Sequence, residues 1–186
     1  MAVQAGQMVD SCKRQGYEVW QFSDEKAPDV PGADKIERRP MDCPQVAYRY
    51  RWLRDIEPPY ISLDVDLLVM QDISGMLDPE YDATMTVREN SDGMIYNGGV
   101  FSVQRRGFIE DCLAQIEQMS PEWQNWTGGQ RAMVAARERW RLKELPCSTW
   151  NFSPQQLSEV RSHMRVLHFK GKRKSMMEEA YARLRA

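Results

Sequence analysis

A chain of 186 residues with 25 Lys+Arg against 27 Asp+Glu, formal net charge −2, is long enough for one domain with a real core and has no overall field to recruit nucleic acid or a membrane surface. No apolar run approaches the roughly 18–20 residues of a membrane span, and no basic-then-apolar leader opens the chain. Four cysteines, Cys12, Cys43, Cys112 and Cys147, stand too far apart for a close metal-ligand pair, so the sequence reads as one cytoplasmic domain over 1–186 with reduced thiols.

In chain order, the pattern predicts a helix over 2–15 closed by Gly16, a residue suited to the left-handed turn after a helix. Residues 18–22 alternate like a short strand. The stretch 23–44 holds four prolines and is expected to be an exposed loop. Residues 45–56 read as a helix with Val46, Tyr50 and Leu53 on one side, stopped by Pro58-Pro59. The run 59–70 then reads as an apolar strand broken at its centre by Asp64 and Asp66. Beyond it come a turn-rich segment with a short helical turn (71–79), a strand over 83–87 and a second over 94–104 interrupted by Asn97-Gly98-Gly99. Helices over 107–119 and 128–141 follow, then a short strand over 142–145. A helix opening at Ser153-Pro154, a strand over 165–169 and a helix over 176–184 complete the chain. Helix, glycine, strand and polar loop in succession is the rhythm of an α/β layer fold.

Four groups of residues can carry chemistry. Asp64 and Asp66, two apart on a strand, point to one face, where paired carboxylates suit Mn²⁺ or Mg²⁺ bridging phosphate oxygens. A capping carboxylate beside a solvated one is the plainer alternative. His168 stands in Leu167-His168-Phe169-Lys170-Gly171-Lys172-Arg173-Lys174, where a neutral imidazole can ligate a metal, Gly171 lets backbone approach an anion, and Lys174 can pair with phosphate. A solvated basic tail with a hydrogen-bonded histidine is the plainer alternative there. Asn97-Gly98-Gly99 inside a strand marks either a bulge where a ligand approaches or an ordinary Asn-Gly hairpin turn. Thr127-Gly128-Gly129-Gln130 at a helix start reads first as a plain cap, and by its free N–H groups as a place for an anion or sugar hydroxyls.

In this order the pieces resemble the glycosyltransferases of family 8, relatives of glycogenin and of bacterial galactosyl- and glucosyltransferases. The resemblance spans residues 45–174. Leu63-Asp64-Val65-Asp66 resembles the family's metal motif, and Asn97-Gly98-Gly99-Val100-Phe101 its Asn-x-Gly-Val segment. Leu145-Pro146 with Trp150-Asn151 resembles its Leu-Pro…Trp-Asn, and His168-Phe169-Lys170-Gly171 through Lys174 its His-Phe-x-Gly-x-x-Lys. The implied fold is the GT-A nucleotide-diphospho-sugar transferase fold, a Rossmann-like central sheet flanked by helices, here N-terminally shortened because no apolar strand precedes the first helix.

The implied activity is transfer of a hexose from a nucleotide-sugar donor, a UDP-sugar above all, to a hydroxyl of a glycan, protein or small-molecule acceptor, with retention of configuration. Asp64, Asp66 and His168 are then the expected metal ligands for Mn²⁺ or Mg²⁺. Gly171 and Lys174 hold the diphosphate, and Asn97, Gly98, Gly99 and Gln130 face the sugar, with Asn97 and Gln130 assisting the reacting centre. Arg49, with Arg51 as the other candidate, is the basic residue expected to reach the nucleotide-sugar. Gly129 stands where the family has Asp, and Ser175-Met176 where it often has Pro-Trp. A catalytically degenerate sugar- or nucleotide-binding module, and a haloacid-type phosphatase with Asp64 as nucleophile, are the rival expectations.

Overall fold

The computed structural model describes residues 2–89 and 93–185. Helix α1 (Ala2–Arg14) leads to strands β1 (Trp20–Ser23) and β2 (Lys35–Arg38), helix α2 (Gln45–Asp55), and strands β3 (Tyr60–Leu63) and β4 (Leu67–Val69). Strands β5 (Ala83–Val87) and β6 (Tyr96–Val103), helices α3 (Arg106–Gln118) and α4 (Trp126–Ala136), and strand β7 (Leu142–Pro146) follow. The one-turn helix α5 (Cys147–Trp150), strand β8 (Val166–His168) and helix α6 (Met177–Arg185) end the chain. The chain divides into two compact units, the first made of residues up to 40, 63–73 and from 148 onward, the second of 41–62 and 74–147.

The second unit carries a four-stranded sheet in the order β3-β6-β5-β7. Strand β5 runs antiparallel to β6 and parallel to β7, and four of its five residues are buried, which explains why its apolar positions are not confined to one face. Its two buried threonines keep their hydroxyls bonded, Thr84 donating to the Met76 carbonyl at 2.7 Å. Helix α3 buries Phe108, Ile109, Cys112, Leu113 and Ile116, spaced for one helical face. Helix α2 contributes Val46, Ala47, Tyr50 and Leu53, and α4 Ala132, Met133 and Ala136, to the same core as Met85, Phe101 and Val103 of the sheet.

The ladder between β5 and β6 is broken in a particular way. Met85 pairs with Phe101 and Val87 with Tyr96, so Thr86 alone faces the four residues Asn97 to Val100. The Thr86 hydroxyl lies 3.0 Å from both the Asn97 and Val100 carbonyls and pins the two ends of this bulge. The segment 97–99 is thus a bulge within one continuous strand, and the hairpin-turn alternative is set aside.

In the first unit, α1 and α6 pack with the antiparallel pair β4–β8, and β1 pairs in parallel with β2. All of Leu67, Leu68 and Val69 are buried. Ser11 of α1, also buried, donates to the Met8 carbonyl at 2.7 Å and accepts from the Val69 N–H at 3.0 Å, which ties helix to strand. Tyr181 of α6 donates to Asp10 of α1 at 2.8 Å. Gly16 takes φ 83°, as a glycine closing a helix should.

Four expectations need correction. The stretch 59–70 is two strands, β3 and β4, joined by a turn at residues 64–66, because the backbone there leaves the sheet and the Asp66 carbonyl accepts from Phe169 N–H at 2.8 Å. The proline-rich loop contains β2, positioned by Asp34. That residue accepts from Val19 N–H at 2.9 Å, pairs with Lys13 at 2.7 Å and donates its own N–H to the Val19 carbonyl at 2.8 Å. The second of the predicted amphipathic helices starts two residues early, since Asn125 caps it through Thr127 N–H at 2.9 Å, and it ends at Ala136. No helix opens at Ser153. Phe152 is held extended between Val166 and His168, donating to one and accepting from the other, and only a single 3₁₀ turn forms at Leu157–Glu159.

Candidate functional site

In the first unit, the turn after β3 and the end of β8 bring three ligand-type side chains together. One donor atom from each of Asp64, Asp66 and His168 lies within 4.8 Å of the others. His168 Nε2 is 3.1 Å from Asp66 Oδ1 and 3.7 Å from Asp64 Oδ2, and Lys174 Nζ is 3.0 Å from the other Asp66 oxygen. The register explains the convergence. Leu67 pairs with His168 across β4–β8, so the residue entering β4 and the residue ending β8 meet at one end of the ladder. The two carboxylates therefore converge through a turn, not through alternation along one strand, and Val65 between them is 43% exposed.

The imidazole is 3% exposed and its other nitrogen is engaged, His168 Nδ1 lying 2.9 Å from Oδ1 of Asn151, itself 1% exposed. An amide oxygen there accepts the Nδ1 proton and turns Nε2 towards the carboxylates. Nε2 donates to Asp66 when it carries a proton, and without that proton its lone pair is open to a divalent cation beside the same carboxylate oxygens. Two carboxylate oxygens and a neutral imidazole suit Mn²⁺, with Mg²⁺ served by the carboxylates. Burial pushes the Asp66 carboxyl up, but its hydrogen bonds and charge contacts with His168 and Lys174 outweigh that and hold it at about 2, so it is a carboxylate at any working pH.

The basic segment after β8 is shaped by Gly171, whose φ of 57° favours glycine, and continues as a 3₁₀ turn over Gly171–Met176. Arg173 donates to the Ser153 carbonyl at 3.2 Å, so this stretch is built into the unit rather than trailing from it.

The second unit brings the predicted amide residues together. Asn97 and Gln130 are both buried, and a Cβ added to Gly98 would sit 3.5 Å from Gln130 Cγ, so the bulge and the start of α4 are in contact. Asn97 Oδ1 accepts from Gly99 N–H at 3.3 Å, and Gln130 Oε1 accepts from Arg88 Nη1 at 2.8 Å. Gly129 is packed against Tyr50: a Cβ there would lie 3.0 Å from the ring, whose hydroxyl donates to the Gly129 carbonyl at 3.3 Å. Aspartate at this position would require Tyr50 to move. Arg49 donates to Ser62 Oγ at 2.9 Å and stacks over Phe101 at 5.5 Å, while Arg51 pairs with Glu117 at 3.0 Å and with Asp42.

Asn151 and Arg88 are the residues that sequence reasoning did not assign. Asn151 stood inside the Trp150-Asn151 resemblance without a role, and Arg88 is a charged residue one step past a strand end, a position that usually means only solvent.

No protein-family model and no curated protein sequence matches the chain. Solved structures do. A glycosyltransferase involved in the glycosylation of the major capsid of PBCV-1 aligns over 98% of this chain and 93% of its own, with TM-score 0.68 and 15% identity. The glycosyltransferase GlyE of Streptococcus pneumoniae TIGR4 aligns over 97% of this chain and 56% of its own, with TM-score 0.68 and 16% identity; its apo form gives 0.64 and 13%. The fold is of the GT-A type. This GT-A chain spans a little over half the length of GlyE. Among the described residues no helix is long and apolar enough to cross a membrane.

Proposed function

We propose that this GT-A chain is a metal-dependent hexosyltransferase of the family 8 type, moving a hexose from a UDP-sugar to an acceptor hydroxyl of a glycan, protein or small molecule with retention of configuration. The observation that carries the reading is the Asp64–Asp66–His168 cluster, with Asn151 fixing the imidazole and Lys174 beside it, on a fold shared with glycosyltransferases. Asp64, Asp66 and His168 hold the cation, Mn²⁺ or Mg²⁺, whose chemistry is to neutralise charge developing on the leaving diphosphate. Lys174 and the backbone at Gly171 bind the same diphosphate.

Asn97 and Gln130 orient the hexose, Gly98 and Gly99 let it approach the backbone, and Arg49 reaches the nucleotide-sugar. Among the described residues no carboxylate accompanies these amides, which favours passage of the sugar carbon through an oxocarbenium-like state attacked from the side the diphosphate leaves. Positioning and electrostatic stabilisation then supply most of the rate. Four free cysteines, two of them fully buried, support a cytoplasmic site of action. The shared GT-A fold speaks against the haloacid-type phosphatase.

The Tyr50 ring packed on Gly129 favours a second reading, a module that binds nucleotide-sugar without turnover. Titration calorimetry with UDP, UDP-glucose and UDP-galactose, each with Mn²⁺ and with EDTA, tests the first part of both. Binding that needs metal and disappears in Asp66→Ala is expected; metal-independent binding, or none, rules out the site. Release of sugar from any bound donor then separates enzyme from module.

A further inference from the structure

Arg88 is a half-buried guanidinium whose partners among the described residues are all neutral. Its Nη1 donates to the Met94 carbonyl at 2.7 Å and to Gln130 Oε1 at 2.8 Å. Among the described residues no carboxylate oxygen comes within ion-pair distance of it, and its Nε and Nη2 bond to none of them. Partial removal from water without an anion disfavours the charged form and draws the guanidinium below its ordinary range. Other arginines in the same unit are matched: Arg51 with Glu117, Arg106 with Glu57, Arg137 with Glu144, and Arg139 with Asp111.

The bond to Gln130 has a directional effect. Because Oε1 is taken by Arg88, the Gln130 NH₂ is the end left to meet a ligand. Asn97 is oriented the same way, its Oδ1 accepting from Gly99 N–H. Neither NH₂ has a partner among the described residues. Arg88 N–H bonds the Ile95 carbonyl across the β5–β6 hairpin, which sets Arg88 and Ile95 opposite one another, with Asn97 two residues further on. Among the described residues, the result is a guanidinium bonded to one amide side chain, with a second amide on the adjoining bulge and no carboxylate beside them. At Gly129, where an acid could have balanced them, Tyr50 fills the space.

A neutral sugar hydroxyl both donates and accepts, and a wall of donors leaves its proton without a partner. A carboxylate only accepts, and its two oxygens match the guanidinium fork. Resting on the hexosyltransferase reading above, we propose that Arg88 makes this site selective for a pyranose bearing a carboxylate, a hexuronate, with Arg88 pairing the carboxylate and Gln130 and Asn97 donating to its oxygens or its neighbours. The uronate can belong to the donor, as UDP-glucuronate or UDP-galacturonate, or to the acceptor, as a uronate-bearing oligosaccharide.

The experiment compares UDP, UDP-glucose, UDP-glucuronate and UDP-galacturonate by calorimetry on the full chain with Mn²⁺, then a glucuronate-containing disaccharide on the UDP–Mn²⁺-loaded protein. A charge-assisted pair at a half-buried site is expected to favour one uronate ligand over its neutral counterpart by about tenfold or more. That preference should vanish in Arg88→Met and fall in Arg88→Lys, which keeps charge but loses the fork. If Arg88→Met does not fold, Arg88→Lys and the wild-type preference still decide. UDP binding with no uronate preference in either arm overturns this inference alone. Failure of UDP to bind overturns the hexosyltransferase reading, and this inference with it.

Discussion

His168 owes its usefulness to Asn151. The imidazole could bond through either nitrogen, and the buried amide oxygen 2.9 Å from Nδ1 decides which nitrogen is left for a cation. Asn151→Ala should therefore weaken Mn²⁺ binding by about 10–100-fold while leaving all three ligands in place, as losses of such supporting partners do. Manganese titration followed by the quenching of water-proton relaxation would measure it, and an unchanged affinity would show that burial alone orients the ring. The three clustered side chains were legible as candidates in the sequence because acids within an apolar run and a histidine beside a basic glycine segment are chemically out of place there. Asn151 and Arg88 were not, since their meaning lies in a partner 17 residues away for the one and 42 for the other. Gly129 stood out only through the family 8 resemblance, as a position where aspartate is expected, whereas the Tyr50 ring packed on it gave no signal in the sequence.

The bulge in β6 depends on one hydroxyl. Thr86 is the sole residue of β5 facing Asn97 to Val100, and it is fully buried with both bulge ends within 3.0 Å. Thr86→Val keeps shape and removes the donor, so two carbonyls lose a buried partner at a cost of about 1–3 kcal/mol. The urea midpoint should fall accordingly, and amide exchange at Gly98 and Gly99 should quicken relative to that at Ala83 and Met85. Strand and helix periodicity predicted β5, β6, α2 and α3 closely, because each has a strongly patterned apolar face. It failed at residues 59–70, where a three-residue turn interrupts a run with no glycine or proline to announce it. It failed again at β2, a strand held by Asp34 and its parallel partner rather than by its own composition. At Ser153-Pro154 a local helix-start signal lost to backbone pairing of the preceding residue with β8.

Acid should loosen both units through carboxylates that the folded chain holds ionised. In the second unit burial raises the Asp111 carboxyl, but hydrogen bonds from Trp140 and Arg139, and the Arg139 charge, bring it below its ordinary value of 3.8. In the first, the hydrogen bonds to Asp10 from Tyr181 and Arg14 lower it as well. A carboxyl with a depressed folded pKa binds its proton more readily when unfolded, so its contribution is complete above the ordinary value and is lost as pH falls through the folded one. Unfolding free energy should thus decline from about pH 4 downward, and Asp111→Asn should flatten that decline while lowering stability at pH 7. A mutant whose acid limb matches the wild type would show that other groups set it.

The interleaving of the two units also governs the order in which the chain becomes complete. Strand β4 has β8 as its ladder partner, and their paired residues, Leu67 with His168, are about 100 positions apart, which a ribosome at ~5–20 residues per second needs on the order of 5–20 s to cover. For that interval the nascent Asp64–Asp66 turn has neither histidine nor lysine beside it, while the β5–β7 sheet and its helices have already been synthesised. Until β8 follows, the two carboxylates stand as an open pair, and the cluster with His168 closes only when the later of the two paired strands has been made.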